Sequence, residues 1–378
     1  MDPNIHNKRQ YKSAGKRDAK KEILDLLTAV GEEGIFQAEL PTKLTLSTTY
    51  ISMLLKELEK ESRIIKRKEI GKVNRIWLFN NAPKEESVRE LDKKTHLYPV
   101  YLGFVPAAEY AALFFAEKTI FKKYNINLKL IQFQNVEDAT LALGKGILDL
   151  CVTPVITQIA VALRTGSLKI IAGAGREGSA IVIRNDLFCK SICNVDDLKD
   201  KRIGSSKLSA MEMNLRTILE NNGLDSYADC KIIFYNSPDV MYHALKTGKI
   251  DAVSIWEPYI TKLELENLGK VLLWYSESFP ELPCCTLAAN ANFLEGNAWL
   301  IDKFMNGYFE AFEQIAKKRD MAIQCVANKL KINDRLVRKG YDHFIYSPFI
   351  SEKDINAVVR CYRLRLTDER EIRKILAF

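Results

Sequence analysis

The stretch Ala244–Tyr259, ALKTGKIDAVSIWEPY, carries the decisive pattern. An apolar-periodic segment closes at Gly248, where a left-handed residue stops a helix, and Asp251 opens the apolar run DAVSIW, which reads as a buried strand. About a hundred residues earlier the same grammar appears in ALGKGILD, Ala142–Asp149. The two segments share Ala-Leu, two residues, Gly, one residue, Leu or Ile, then Asp, and each leads into a buried strand. The glycines Gly146 and Gly248 are expected to end helices and the aspartates Asp149 and Asp251 to start strands. Such an echo implies two lobes of similar build. It carries no chemistry of its own.

Working outward, β-like and helical runs alternate from Leu97 onward. VYLGFV precedes a helix at 107–120, LKLIQF one at 136–143, and LDLCV one at 154–163, with LKIIAGA after it. The rhythm restarts with RIGSS, a helix at 210–222, KIIFYN, a helix at 239–247 and DAVSIW. This predicts two α/β lobes on largely parallel sheets.

The strings GFVPAAEYAALFFAEKTIFKKYNINLKLIQF, ALGKGILDLCVTP, DDLKDKRIGSS and ALKTGKIDAVSIWEPY together resemble the type 2 periplasmic-binding-protein fold. The similarity is to the branch that binds nitrate, alkanesulfonates, taurine and thiamine pyrimidine precursors, the substrate-binding components of ABC transporters. It covers residues 97–360, with Asp-Ala-x-x-x-Trp-Glu-Pro at Asp251–Pro258 its most specific string. The resemblance implies a ligand clamped between two lobes joined by crossing strands. Lobe one is expected at 97–184 plus 284–378 and lobe two at 190–280 of a body spanning 97–378.

Residues 1–84 hold 17 Lys/Arg against 11 Asp/Glu, whereas the other residues are near neutral, in a chain of net charge +8. A compact basic segment on a neutral body suits a polyanionic partner, because neutralised phosphates release counterions. Ile23, Leu26, Leu27 and Val30 recur at helical spacing, a short helix fits 37–44, and hydroxyls at Ser47–Thr49 precede a third helix to about Glu61. Ile51, Leu54, Leu55 and Leu58 form its apolar stripe, opposite Thr49, Ser52, Lys56 and Lys60. Runs at 64–68 and 73–79, separated by residues 69–72, read as a basic hairpin. QAELPTKLTLSTTYISMLLKELEKESRIIKR and this hairpin resemble a winged helix-turn-helix, over residues 16–80. The expected organisation is a winged helix-turn-helix at 1–81, a linker at 82–96 and then the body. The resemblance implies double-stranded DNA contacts from Ser47, Thr48, Thr49, Tyr50, Ser52 and Lys56, with Arg67, Lys68, Lys72 and Arg75 on phosphate.

In open α/β sheets ligands sit beyond the carboxyl ends of strands, where helix N-termini offer free N–H groups. Three such ends are Pro106, Ala108 and Glu109; Thr153 and Pro154; and Ser206, Ser209 and Ala210. Trp256 offers a flat wall and Glu257 a carboxylate suited to an amine or ring N–H, and Gly173 lies near the expected lobe crossover.

Hydrophobic residues make up 47% and charged residues 28% of the 378, which excludes global disorder. No run approaches about 18 apolar residues and the first twenty lack a signal-peptide core, so a cytoplasmic chain without a membrane contact is expected. Eight cysteines, including the adjacent pair Cys284 and Cys285, show no zinc-ligand spacing, and the four histidines form no catalytic pattern. Neither cofactor, metal nor enzyme activity is expected. The reading is a one-component transcription regulator, a homodimer, sensing a sulfur- or nitrogen-containing effector. The alternatives are a ligand-binding protein whose N-terminal domain contacts protein, and a thiamine-pyrimidine synthase-like enzyme.

Overall fold

The structure, a computed structural model, describes residues 19–29, 35–44, 46–60, 65–70, 73–78, 92, 96–280, 282–362 and 374–377. The chain divides into two compact units, Met1–Ser87 and Val88–Phe378. No helix among the described residues is long and apolar enough to cross a membrane.

In the first unit, residues 19–29 are helical and a helix spans Thr48–Lys60. The latter starts where the hydroxyl run predicts: the Ser47 hydroxyl accepts the Tyr50 N–H at 3.2 Å. Ile51, Leu54, Leu55 and Leu58 are all buried against Ile23, Leu27 and Leu40, so the expected stripe is the core face. The segment before it differs from expectation. Gln37–Glu39 is a 3-10 turn and the α-helix covers only Leu40–Leu44. Pro41 thereby falls in a first turn, where its missing N–H leaves no bond unmade. Strand β1 (Ile35–Phe36), which the sequence reading missed, joins β2 (Ile65–Ile70) and β3 (Val73–Leu78) in the order β1-β3-β2. Ile70 pairs with Val73, so the hairpin loop has two residues rather than the expected four, because Glu69 and Ile70 stay in the ladder.

The second unit carries two mixed sheets. The first runs β14-β7-β13-β6-β4-β5, built from β4 (Tyr98–Phe104), β5 (Ile126–Gln132), β6 (Leu150–Pro154), β7 (Leu168–Glu177), β13 (Pro283–Asn290) and β14 (Phe344–Ile345). The second runs β10-β9-β11-β8-β12, from β8 (Ser179–Arg184), β9 (Arg202–Ser205), β10 (Lys231–Phe234), β11 (Ala252–Trp256) and β12 (Gly269–Trp274). β5-β4-β6 and β10-β9-β11 are the matching parallel cores of the two lobes. Each is flanked by an antiparallel strand that crosses over from the other lobe, β13 beside β6 and β8 beside β11. The crossings are why the sheets are mixed rather than largely parallel.

The internal echo is visible in the backbone. Gly146 and Gly248 have φ of 68° and 69°, the left-handed turn their sequence context predicts. The Asp149 carboxylate accepts the Tyr101 N–H at 2.8 Å while its own N–H donates to the Tyr101 carbonyl at 3.0 Å. Asp251 repeats this with Arg202, at 3.0 and 2.8 Å, and adds an ion pair to the guanidinium. The aspartates therefore bolt each third strand to the first strand of its own lobe.

The chain leaves lobe one earlier than expected. β8 belongs to the second sheet, so the crossing lies at Glu177–Gly178 rather than past 184. In the sequence it falls in Arg176-Glu177-Gly178-Ser179, a short polar break between two apolar runs; the backbone marks it with two consecutive left-handed residues, φ 67° and 71°. The core of lobe one sets Phe104, Phe114 and Phe121 against Phe304 and Tyr308 of the helix Ala298–Lys317, with the Phe121 and Phe304 rings 4.6 Å apart. That of lobe two packs Met241, Leu245, Ile255 and Ile260.

Candidate ligand-binding cleft

The carboxyl ends of β4, β6 and β11 and the helix Ala210–Asn221 after β9 converge on one cleft between the lobes. Val105, Ala107, Pro154, Ser209, Ala210 and Trp256 line it from those ends. Ser209 caps the helix, its hydroxyl accepting the Glu212 N–H at 3.4 Å. The Trp256 ring N–H donates to the Pro106 carbonyl across the cleft at 2.9 Å. The Thr157 hydroxyl donates to the Leu208 carbonyl at 2.7 Å, and the Tyr362 hydroxyl to Asn214 at 2.7 Å. With these latches engaged the lobes are closed, and about 30 Å³ remains inside. At roughly 10–15 Å³ per water, this admits about two. A multi-atom ligand enters only when the lobes part.

The floor is Glu109 with Cys284 and Cys285. Glu109 is 4% exposed and its Oε1 has no hydrogen-bond partner. Burial pushes its carboxyl up to about 7, opposed only in part by the neighbouring Cys285 and Cys284. Gly175 makes the space: a Cβ there would lie 2.5 Å from Glu109 Cγ. The Tyr110 hydroxyl sits 3.4 Å from Cys285 Sγ. Burial drives the Cys285 thiol and the Tyr110 phenol upward as well.

Of the expected ligand contacts, Glu109, Pro154, Ser209, Ala210 and Trp256 line the cleft. Pro106 and Ala108 serve through their backbones, as acceptor for Trp256 and as donor to the Glu257 carbonyl at 3.3 Å. Ser206 holds the Ser209 hydroxyl through its carbonyl. Three residues lie elsewhere. Thr153 is fully buried within β6, its hydroxyl 3.0 Å from that of Thr140. Gly173 is covered by the chain itself, its N–H donating to the Pro348 carbonyl at 2.7 Å. Glu257 turns away from the cleft: its carboxylate accepts the Thr261 N–H and hydroxyl at 3.0 and 2.9 Å and meets His343 Nδ1 at 2.7 Å. Full burial of a carboxylate requires such partners, and the start of the helix Tyr259–Leu265 supplies them. Glu177, Tyr110, Met211, Cys284 and Cys285 line the cleft without having been foreseen. The Cys-Cys doublet was the available signal; its partner Glu109 is 175 positions away and had to be brought in by the fold.

Glu257 lifts the His343 pKa above its ordinary value. A raised histidine contributes stability that is full below the unfolded value near 6.5 and is lost as pH rises through the folded value. His343→Gln should therefore destabilise more at pH 6 than at pH 9, read from urea midpoints. An equal loss at both pH values would show that the pair adds no charge-dependent stability.

A larger depression of about 460 Å³ lies on lobe two between Asp200, Arg216 and Tyr227. It is an open surface dent whose guanidinium is already stacked on the Tyr227 ring at 3.9 Å and bonded to Glu212 and Ser226. The enclosed interlobe cleft is the better candidate site.

Among known proteins, the NMT1-like family model matches residues 93–328, well over half of the chain. The chain belongs to the NMT1-like family. Solved structures share its fold. The alkanesulfonate-binding protein SsuA from Xanthomonas axonopodis pv. citri, bound to MOPS, is 18% identical with TM-score 0.64, over 74% of this chain and 97% of that one. The periplasmic nitrate-binding protein NrtA from Synechocystis PCC 6803 is 14% identical with TM-score 0.63, over 74% and 86%. The Candida albicans CA3427 gene product, described as having the generic periplasmic binding protein fold, is 13% identical with TM-score 0.61, over 74% and 96%. A search of curated proteins finds no match. At these identities the likeness establishes the two-lobed architecture, and it leaves the NMT1-like body's ligand to be argued from its own cleft.

Proposed function

We propose that the chain is a one-component, non-enzymatic transcription regulator. Its NMT1-like body closes on a small sulfur- or nitrogen-containing molecule, and its N-terminal unit is a winged helix-turn-helix that binds double-stranded DNA as a homodimer in the cytoplasm. The observation that carries the DNA-binding half is the order of elements. A helix, β1, a short helix, a Ser47-capped helix and a two-residue hairpin follow one another, with the sheet in the order β1-β3-β2. In such an arrangement the capped helix enters the major groove and the hairpin flanks the backbone. Lys56 is exposed on the capped helix, Ser47 is exposed at its cap, Tyr50 is half-buried, and the Ser52 hydroxyl accepts from Gln37 at 2.8 Å. The side chains of Thr48, Thr49, Arg67, Lys68 and Arg75, and the whole of Lys72, lie outside the described residues.

The sensing half rests on the enclosed cleft and the latches across it. Sulfonates and nitrate are what SsuA and NrtA bind, and both they and pyrimidines belong in a thermal-stabilisation screen of the full chain. For the DNA half, the full chain should bind a duplex carrying its own upstream sequence. Lys56→Ala should weaken that binding and reduce the slope of log affinity against log salt by about 1. Absence of any binding at low salt would end the regulator reading and leave a small-molecule-binding protein whose N-terminal unit contacts protein.

A further inference from the structure

We propose that the floor of the cleft is a binding site for a thiophilic metal cation of the zinc class. Cys284, Cys285 and Glu109 are its ligands, and one coordination position stays open toward the cleft. Adjacent residues of a regular strand point to opposite faces, so a Cys-Cys doublet in β13 should send its two thiols apart. They are not apart: the sulfurs are 3.8 Å from one another. The reason is a disturbance in the ladder. Pairing of β13 with β7 slips between Pro283 and Cys285 and again between Cys285 and Thr286. Bulges of this kind re-aim side chains beside functional sites.

The separation itself is informative. Two thiolates on a tetrahedral zinc, each about 2.3 Å from the metal, stand about 3.8 Å apart. A donor atom from Glu109 completes a group whose members all lie within 4.8 Å of one another. Glu109 Oε1 is buried without any partner, a state that costs free energy unless something binds there. Gly175 keeps that position open, and Tyr110 stands behind Cys285 as an outer hydrogen-bonding partner.

Charge points the same way. The described residues lining the cleft include Glu109 and Glu177 and no lysine, arginine or histidine. Once the two thiols give up their protons to a metal, no cationic side chain among the described lining residues competes with it for the negative floor. Two sulfurs and one oxygen select zinc-class ions over magnesium or calcium, which take oxygen sets. The remaining space of about 30 Å³ suits an ion with a bound water. Binding releases the two thiol protons to solvent and involves no redox change. The proposal stands whether or not the N-terminal unit binds DNA.

The test uses the full chain, stripped with chelator under reducing conditions and titrated with cobalt(II) and then zinc(II). One equivalent of cobalt should give tetrahedral d–d bands and thiolate-to-cobalt charge transfer, and zinc should displace it. The double variant Cys284→Ser, Cys285→Ser should lose the charge-transfer band. Glu109→Gln should weaken zinc by more than about tenfold, the low end of the loss seen for an outer partner alone. Cys189→Ser with Cys193→Ser, an exposed pair, should change nothing. X-ray absorption of the wild-type zinc complex keeps the test independent of variant folding: two sulfurs near 2.3 Å with oxygen or nitrogen near 2.0 Å are expected. Absence of stoichiometric binding, a signal that survives the Cys284/Cys285 double variant, loss of binding in the Cys189/Cys193 variant, or a sulfur count other than two would each overturn the assignment.

Discussion

Gly178→Ala should cost about 2–4 kcal/mol of folding stability, while Gly166→Ala, at a nearly identical backbone angle, should cost only about 1 kcal/mol. Both glycines are left-handed, with φ of 71° and 63°, so the conformational term is shared. Their surroundings differ. A Cβ at Gly166 meets nothing within 4 Å, whereas at Gly178 it would lie 2.0 Å from a carbon of the Phe344 ring. That ring is buried in the core of lobe one and cannot step aside without opening a void. Position 178 also carries the first crossing between lobes, and its carbonyl accepts the Glu257 N–H at 3.0 Å. The substitution therefore strains the hinge and the anchor of β11 together. Against a typical total stability of about 5–15 kcal/mol this is a large effect. Urea unfolding of the two variants side by side decides it: equal losses would mean that the ring contact does not constrain the crossing.

The second large effect concerns pH. In metal-free protein, folding stability should fall by about 3 kcal/mol between pH 4.5 and pH 8 through Glu109 alone, and Glu109→Gln should remove that component. Burial raises this carboxyl from 4.5 to about 7, so between those values the folded state holds a proton that the unfolded state has released. Stability is then lost as pH rises through the folded value, the reverse of an ion-paired carboxylate. The loss of His343 stabilisation at higher pH has the same sign, so the comparison is made on the difference between Glu109→Gln and the parent chain. A parallel pH dependence in both proteins would show that Glu109 ionises in the folded state as easily as in the unfolded one.

Local chemistry explains which parts of the molecule were legible in the sequence. Helix ends at Gly146 and Gly248 and the caps at Ser47 and Ser209 depend on neighbours within four residues, so their one-dimensional signals survive intact. Helices expected at 136–143, 154–163 and 239–247 occur at Val136–Gly144, Val155–Thr165 and Pro238–Lys246. The two-lobed architecture followed because an echo such as ALGKGILD and ALKTGKID reports a repeated unit. Five of the eleven residues nominated for the cleft line it, and all five stand at strand ends or helix starts whose direction the βα order fixes.

Glu257 shows where that logic stops. Placed next to Trp256 in the chain, it faces the opposite way, because the open N–H groups of its own helix and His343, 86 positions later, compete for its carboxylate. The hinge at Glu177–Gly178 falls in the polar break GREGS between two apolar runs, which reads as an ordinary turn; that the chain changes sheets there is decided by strand pairing. The sequence by itself determined the alternation of strands and helices, the doubled lobe and the basic front unit, all of which rest on periodicity and nearby capping. Only the tertiary structure decided that two neighbouring thiols turn to one side and meet a carboxylate brought from 175 residues away at the floor of the cleft. Convergence of that kind is set by strand register and crossover, which are long-range properties that no local spacing encodes.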